Sequence, residues 1–294
     1  MNSELRILFI GTPPFTIPVL ESLLAASPHH EWKVVGILTQ EDKKVGRKQD
    51  VASSPIKLFA QKHALPYLDP QSLRDPRVFA DIQKLSPDIA VMTAYSKKIP
   101  RSILSLPKFQ TIGIHPSLLP KYPGISPVQS AILAGEAETG ITIFKLDEGF
   151  DSGPILHQET VTIEQNDTFQ SLVRKQYLKA SEVLPDVLTG YVSGTIKPVV
   201  QDTRQFIYTQ KLTRDSGKID WSKGDTYIER MIRAFYPWPG AWTLWKDKRL
   251  KIISAHLEND KLVPDMLQLE GSKALPFEAF IRGQRDFSVD ALKN

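Results

Sequence analysis

The chain of 294 residues contains no cysteine. A disulfide framework, a thiolate nucleophile and cysteine-ligated zinc are therefore excluded, and nothing argues for an oxidising compartment. No apolar run approaches the ~20 residues a membrane-spanning helix needs. The start, MNSELRILFIG, places an acid before a short apolar stretch, which is not a signal-peptide layout. It reads as the first strand of a cytoplasmic protein. The turn that follows, Gly11-Thr12-Pro13-Pro14, lacks the G-x-G-x-x-G spacing of a dinucleotide site. The six histidines, at 29, 30, 63, 115, 157 and 256, show no H-E-x-x-H or comparable spacing, so no metal site is indicated. What is present, 41% hydrophobic and 24% charged residues, is the profile of a globular protein, and the length suggests two domains.

Apolar periodicity gives the outline. Leu5–Ile10 is a short buried run, and Ile17, Val19, Leu20, Leu23 and Leu24 then recur at helical spacing. Lys33–Leu38, Asp88–Thr93, Gln110–His115 and Ile141–Leu146 are further strand candidates, and Pro55–His63 is helical. Strands separated by helical segments predict an α/β, doubly wound and mostly parallel sheet with ligands at the strand carboxyl ends. Asp42–Ser54 is polar and without period, and is expected to be a loop. Beyond residue 200 the pattern changes. Phe206–Tyr208, Trp242–Trp245 and Leu250–Ile253 are short strand candidates, with a helix over Thr226–Phe235. They predict a small β-barrel. The expected division is a domain over 1–200 and a second over 204–294.

Net charge is +4, and it is unevenly spread. Residues 1–203 hold 21 basic and 21 acidic side chains, whereas 204–251 hold 11 and 5. A concentrated positive stretch points to a polyanionic partner; solvated lysines are the plainer alternative. The aromatic and proline-rich stretches Ile219–Ser222 and Ile232–Trp242 are expected to form a packed inter-domain or barrel seam, with a nucleic-acid stacking platform as the other reading.

Two stretches carry candidate chemistry. In TIGIHPSLLPKYPGISPVQ, His115 stands at a predicted strand end and enters a proline-bounded loop. Prolines fix φ, and a stiff loop can hold an imidazole in one orientation, as catalysis requires. In LDEGFDSGP, Asp151 follows another strand. A carboxylate beside an imidazole fixes its tautomer and raises its basicity. A core histidine and a tight Asp/Gly turn remain the alternatives.

Taken together, FIGTPPF, TQEDKKVGRK with SSPIK, HPSLLP, AETGITIFKLDEGFDSGPIL, IDWS and IRAFYPWPGAW resemble the methionyl-tRNA formyltransferase family over nearly the whole chain. The resemblance implies a Rossmann-like α/β domain followed by a small C-terminal β-barrel, OB-like and tRNA-binding. It implies formyl transfer from 10-formyltetrahydrofolate to the amino group of methionyl initiator tRNA, with no metal. By the resemblance His115 contacts the formyl oxygen or handles the proton, and Asp151 orients it. Arg47 grips the acceptor end of the tRNA, and Ser117, Leu118, Leu119 and Pro120 border the folate. Expected partners are initiator methionyl-tRNA and the folate co-substrate, with no membrane, and the chain is expected to act as a monomer. A sugar-nucleotide N-formyltransferase and an impaired tRNA- or folate-binding relative are the other readings.

Three departures surround one pocket. The family motif reads Asn-x-His where this chain has Gly113-Ile114-His115; Arg-Gly where it has Pro123-Gly124; Ala-Tyr-Gly where it has Ala94-Tyr95-Ser96. Loss of the asparagine removes an oxyanion donor, an effect of about 3 kcal/mol or 10²–10³-fold in rate. Water or a backbone N–H is expected to fill the space at Gly113.

Overall fold

The structure is a computed structural model and describes residues 4–45 and 49–293. In chain order the elements are β1 (Leu5–Ile10), α1 (Ile17–His30), β2 (Trp32–Leu38), β3 (Lys43–Val45), β4 (Asp50–Ala52), α2 (Pro55–Lys62), β5 (Tyr67–Leu68), α3 (Pro76–Lys84), β6 (Ile89–Thr93), α4 (Arg101–Leu104), β7 (Thr111–His115), α5 (Pro127–Ala134), β8 (Glu138–Lys145), β9 (Ile155–Thr162), α6 (Phe169–Ser193), α7 (Asp225–Phe235), β10 (Ala241–Trp245), β11 (Lys248–Glu258), β12 (Lys261–Leu269), β13 (Leu275–Pro276) and α8 (Phe277–Gly283). They fall into two compact units. One comprises residues 1–123, 140–161 and 174–208; the other 124–139, 162–173 and 209–294. No helix among the described residues is long and apolar enough to cross a membrane.

The first unit is built on a seven-stranded sheet in the order β5-β2-β1-β6-β7-β8-β9. β1 pairs parallel with β2 and β6, and β6 with β7, while β7 and β8 run antiparallel. Uninterrupted apolar runs suit strands covered on both faces, and Ile7, Phe9, Ile10, Ile37, Leu38, Ile89 and Val91 are fully buried. Helix starts follow local chemistry. Ser54 accepts the Lys57 N–H at 3.0 Å with Pro55 beginning α2, and Asp75 accepts that of Arg77 at 2.9 Å with Pro76 beginning α3; caps of this kind satisfy otherwise unpaired helix donors. The chain moves from β1 to β2 and β5, then returns to lay β6 on the other side of β1. The crevice at such a reversal is where open α/β sheets bind ligands.

The second unit contains a four-stranded antiparallel sheet, β10-β11-β12-β13, with α7 packed on it. The amphipathic face of α7 buries Ile228, Met231, Ile232 and Phe235. A long β11–β12 hairpin forms its frame, turning at Asn259 and Asp260, both left-handed, a conformation Asn and Asp tolerate.

Three segments differ from the sequence reading. Asp42–Ser54 is not a plain loop, because β3 and β4 pair antiparallel through Lys43–Ala52, Lys44–Val51 and Val45–Asp50. Lys43, Lys44, Asp50 and Val51 are exposed, so these positions leave no alternating buried pattern to read. Phe206–Tyr208 is not a strand. Ile207 makes a single bridge to Lys121, and the Phe206 and Tyr208 rings meet edge-on at 5.5 Å. The segment Phe235–Trp242 is split: Phe235 and Trp242 are buried, while Tyr236, Pro237 and Trp238 are exposed, Trp238 by 52%.

Candidate active site

His115 is the last residue of β7 and is 6% exposed. Its Nε2 lies 2.9 Å from the Tyr122 carbonyl oxygen. A carbonyl only accepts, so Nε2 carries the proton. The other nitrogen, Nδ1, faces Asp151 Oδ2 at 3.5 Å. That separation is longer than a hydrogen bond. The imidazole thus turns its proton-free Nδ1 towards the Asp151 carboxylate.

The loop after His115 is fixed by more than proline. The Leu119–Pro120 peptide is cis. Ser117, wholly buried, donates its hydroxyl to the Lys121 carbonyl at 2.6 Å. Thr142 on β8 donates to the Ser117 carbonyl at 2.7 Å and accepts the Leu119 N–H at 3.0 Å. Gln158 on β9 donates to the Leu119 carbonyl at 2.8 Å, and Gln176 on α6 to those of Pro116 and Gly140 at 2.9 and 2.7 Å. Leu119 is buried; Leu118 and Pro120 are half-buried. Deeper, the buried Tyr177 on α6 shares a 2.8 Å hydrogen bond with Thr93, whose hydroxyl also reaches the Ile114 carbonyl at 3.3 Å. Burial, with the nearby Asp151 charge, holds the Tyr177 phenol well above the usual tyrosine range, despite the Thr93 bond, so it stays neutral.

Asp151 lies in the turn between β8 and β9 with φ +54°. The turn is shaped by its other aspartate, since Asp147 Oδ1 accepts the Gly149 N–H at 2.9 Å and the Ser152 hydroxyl at 3.0 Å. A Cβ built on Gly153 would overlap the Lys145 carbonyl oxygen, so the chain approaches too closely there for any side chain.

The side-chain face of Gly113 is closely packed. A Cβ at Gly113 would stand 2.7 Å from Phe144 Cε1, and Phe144, its cross-strand partner, is 1% exposed. The ring of Phe144 occupies the space over Gly113. Arg47 lies outside the described residues.

The neighbouring strand ends carry polar groups. Thr12 Oγ1, just after β1, and the Tyr95 hydroxyl, just after β6, are buried without a hydrogen-bond partner. Tyr95 is otherwise set in an apolar cluster with Ile10, Leu38, Ile99 and Ile103. Burial, with the Glu41 charge, pushes its pKa up to about 12. At the base of the β3–β4 hairpin, Lys97 bridges Glu41 and the carbonyls of Pro70 and Gln71. Lys57 joins Asp42 and Asp69, each at 2.8 Å. Among the described residues no group of three or more His, Asp or Glu is placed to hold a metal ion.

In the second unit the motif residues of IDWS are ties rather than chemistry. Asp220 accepts both the Ser222 N–H and its hydroxyl, at 3.1 and 2.6 Å, and Trp221 donates to Thr243 on β10 at 3.3 Å. Part of the positive stretch is spent internally, through Arg233–Glu229, Arg204–Asp202 and Lys246–Asp286. Lys211, Arg214, Lys218, Lys223 and Lys248 are exposed.

Sequence reasoning missed Thr142, Gln158, Gln176, Tyr177 and Phe144. Neutral amides and hydroxyls have no diagnostic spacing. The one available signal was their lying on apolar strands or a helix, where a polar side chain has to find a partner.

The chain matches the Formyl transferase family over residues 5–188 and the Formyl transferase C-terminal domain over 211–265. A methionyl-tRNA formyltransferase from Roseiflexus sp. strain RS-1 is 42% identical over 257 residues, 87% of this chain and 78% of that protein. One from Chloroflexus aurantiacus is 43% identical over 251 residues, 85% of this chain and 80% of that protein. The solved methionyl-tRNA formyltransferase from Clostridium thermocellum shares the fold, with a TM-score of 0.61 at 18% identity over 90% of this chain and 98% of its own. By these matches along both sheets, the chain belongs to the methionyl-tRNA formyltransferase family.

Proposed function

We propose that this chain transfers the formyl group of 10-formyltetrahydrofolate to the α-amino group of methionyl initiator tRNA, with His115 and Asp151 as its catalytic residues. The observation that carries the assignment of roles is the approach of His115 Nδ1 to Asp151 Oδ2 at 3.5 Å, with Nε2 committed to the Tyr122 carbonyl. His115 Nδ1 accepts the proton that the amine sheds as its lone pair bonds to the formyl carbon. Asp151 balances the resulting imidazolium, and Nδ1 returns the proton to the folate nitrogen as the bond from that nitrogen to the formyl carbon breaks. Position 113 supplies no side-chain donor to the developing oxyanion, so this chain works without a term usually worth about 10²–10³-fold.

The folate is read into the crevice beside β1, β6 and β7. Ser117, Leu118, Leu119 and Pro120 border it, and the partnerless hydroxyls of Thr12 and Tyr95 offer buried hydrogen bonds to a planar heteroaromatic ring. Arg47, between β3 and β4 in sequence, is assigned to the acceptor end of the tRNA. Residues 204–294 supply the tRNA-binding unit, in which the exposed lysines and Arg214 meet the phosphate backbone. All the catalytic side chains belong to residues 1–200, so a monomer suffices, and a translation substrate places the work in the cytoplasm.

The test is formyl transfer from 10-formyltetrahydrofolate to charged initiator tRNA, with an amino-sugar nucleotide as the control acceptor. Formyl-methionyl-tRNA is the expected product. Transfer to the sugar nucleotide with none to tRNA overturns the assignment.

A further inference from the structure

We infer that Gln201 is a positioning residue for this reaction: its side-chain amide sets the backbone of Asp151 so that the carboxylate faces His115. The inference rests on the roles given above to His115 and Asp151. Gln201 Nε2 donates to the Asp151 carbonyl at 2.8 Å and to the Gly153 carbonyl at 2.7 Å. The segment arrives there in register, because Val199 and Ile155 exchange both backbone hydrogen bonds, at 2.7 and 2.8 Å. Gln201 thus extends that antiparallel bridge with its side chain, where the turn leaves two carbonyls facing away from any strand.

Three observations separate a positioning role from packing. First, the segment contributes little core. Val199 and Val200 are 64% and 82% exposed, while Gln201 alone is inserted, at 6%. Second, the amide is oriented by chemistry. Turned over, its oxygen would oppose two carbonyl oxygens at hydrogen-bond distance. In the orientation that works, Gln201 Oε1 is buried with no partner. An orphaned buried acceptor is unfavourable, so the feature that justifies an amide here is the pair of donors it gives to the two carbonyls. Third, the residue they hold has a less common backbone conformation. Asp151 has φ +54°, a left-handed state that aspartate tolerates but most residues in a chain do not take. Gly153, against Lys145, limits the turn from one side, and Gln201 closes it from the other.

The experiment is a double-mutant cycle on the full chain, with kcat and both KM values measured using 10-formyltetrahydrofolate and methionyl initiator tRNA. Gln201→Glu keeps the shape and replaces the donors with a charge facing two carbonyls. Its kcat is expected to fall ~10–100-fold, the scale of a misplaced catalytic group, with both KM values within about threefold. Asp151→Asn should lose more, and the double variant should be no slower than Asp151→Asn alone, since Gln201 acts only through Asp151. Losses that multiply, or a Gln201→Glu kcat within about twofold of the starting chain, overturn the inference while Asp151→Asn remains slow. A fully active Asp151→Asn overturns the reading of the site itself. If Gln201→Glu does not fold, Gln201→Met, of similar volume and uncharged, carries the same cycle.

Discussion

The loop His115–Pro120 and the hairpin Lys43–Ala52 both border the carboxyl edge of the same sheet, yet they are held by opposite means. The loop is clamped by neutral groups. Thr142, Gln158 and Gln176 reach its main chain from β8, β9 and α6, mostly out of solvent. The hairpin stands on ion pairs, Lys97 to Glu41 and Lys57 to Asp42 and Asp69, which are partly exposed. Neutral buried hydrogen bonds do not titrate near neutrality and are little affected by salt. Exposed ion pairs are weak and screened. The imidazole proposed to move a proton stands at the head of the loop with the first kind of support. The hairpin rests on the second kind, which salt and acid weaken.

The comparison breaks most visibly at the imidazole. His115→Ala should lower kcat by ~10²–10⁴-fold, the range for a positioned proton-transfer group, beyond the stability of about 1–3 kcal/mol lost with its hydrogen bond to the Tyr122 carbonyl; single-turnover formylation on the folded variant measures it. The next largest effect is expected at Gly113. Asn there meets Phe144, so Gly113→Asn alone should destabilise the chain by about 1–3 kcal/mol, as overpacking does, and should not raise kcat. Combined with Phe144→Leu it should recover stability and exceed the starting kcat. Denaturant melts and steady-state rates on the two variants test both halves, and a faster Gly113→Asn single variant would remove Phe144 from the explanation.

Smaller losses sharpen the contrast between the two supports. Thr142→Val deletes a hydroxyl with two main-chain partners and should cost about 1–3 kcal/mol, the penalty for stranding buried groups, equally at low and high salt. Lys97→Met should leave kcat intact and raise KM for the tRNA a few-fold, more at low ionic strength than at high. Acid separates the supports again. Burial opposes ionisation of Glu41, but its hydrogen bond and charge pairing with Lys97 prevail, so its pKa lies below the ordinary 4.5. A depressed carboxyl contributes its stability above the unfolded value and loses it as pH falls through the lower folded one. Hydrogen-exchange protection of the hairpin amides should therefore decay below about pH 4.5, while that of the Ser117–Leu119 amides persists.

Much of the first unit was legible because its strands are covered on both faces. LRILFI and KVVGIL can hardly be anything but buried strands, and the apolar spacing of Pro55–His63 marks a helix. The hairpin was not legible, since three-residue strands in water leave no period. His115 and Asp151 were singled out by motif, and their separation of 36 positions in the chain gave no hint of the distance between them. The clamps were silent for a different reason. A threonine on a strand and a glutamine on a helix are ordinary residues, and only the arrangement of distant backbone shows what they hold. The packing of Phe144 over Gly113 is likewise a relation between strands, invisible to a reading that moves along one.

Gly153 has a consequence for the reach of variation in this chain. Because a main-chain oxygen, not a side chain, occupies the room beside its α-carbon, no neighbour can be trimmed to make way. A saturation library at that codon should return glycine alone among folded clones, while the exposed residue three places earlier, Phe150, accepts many. The turn that presents Asp151 is thereby closed to gradual change at one point and open at the next.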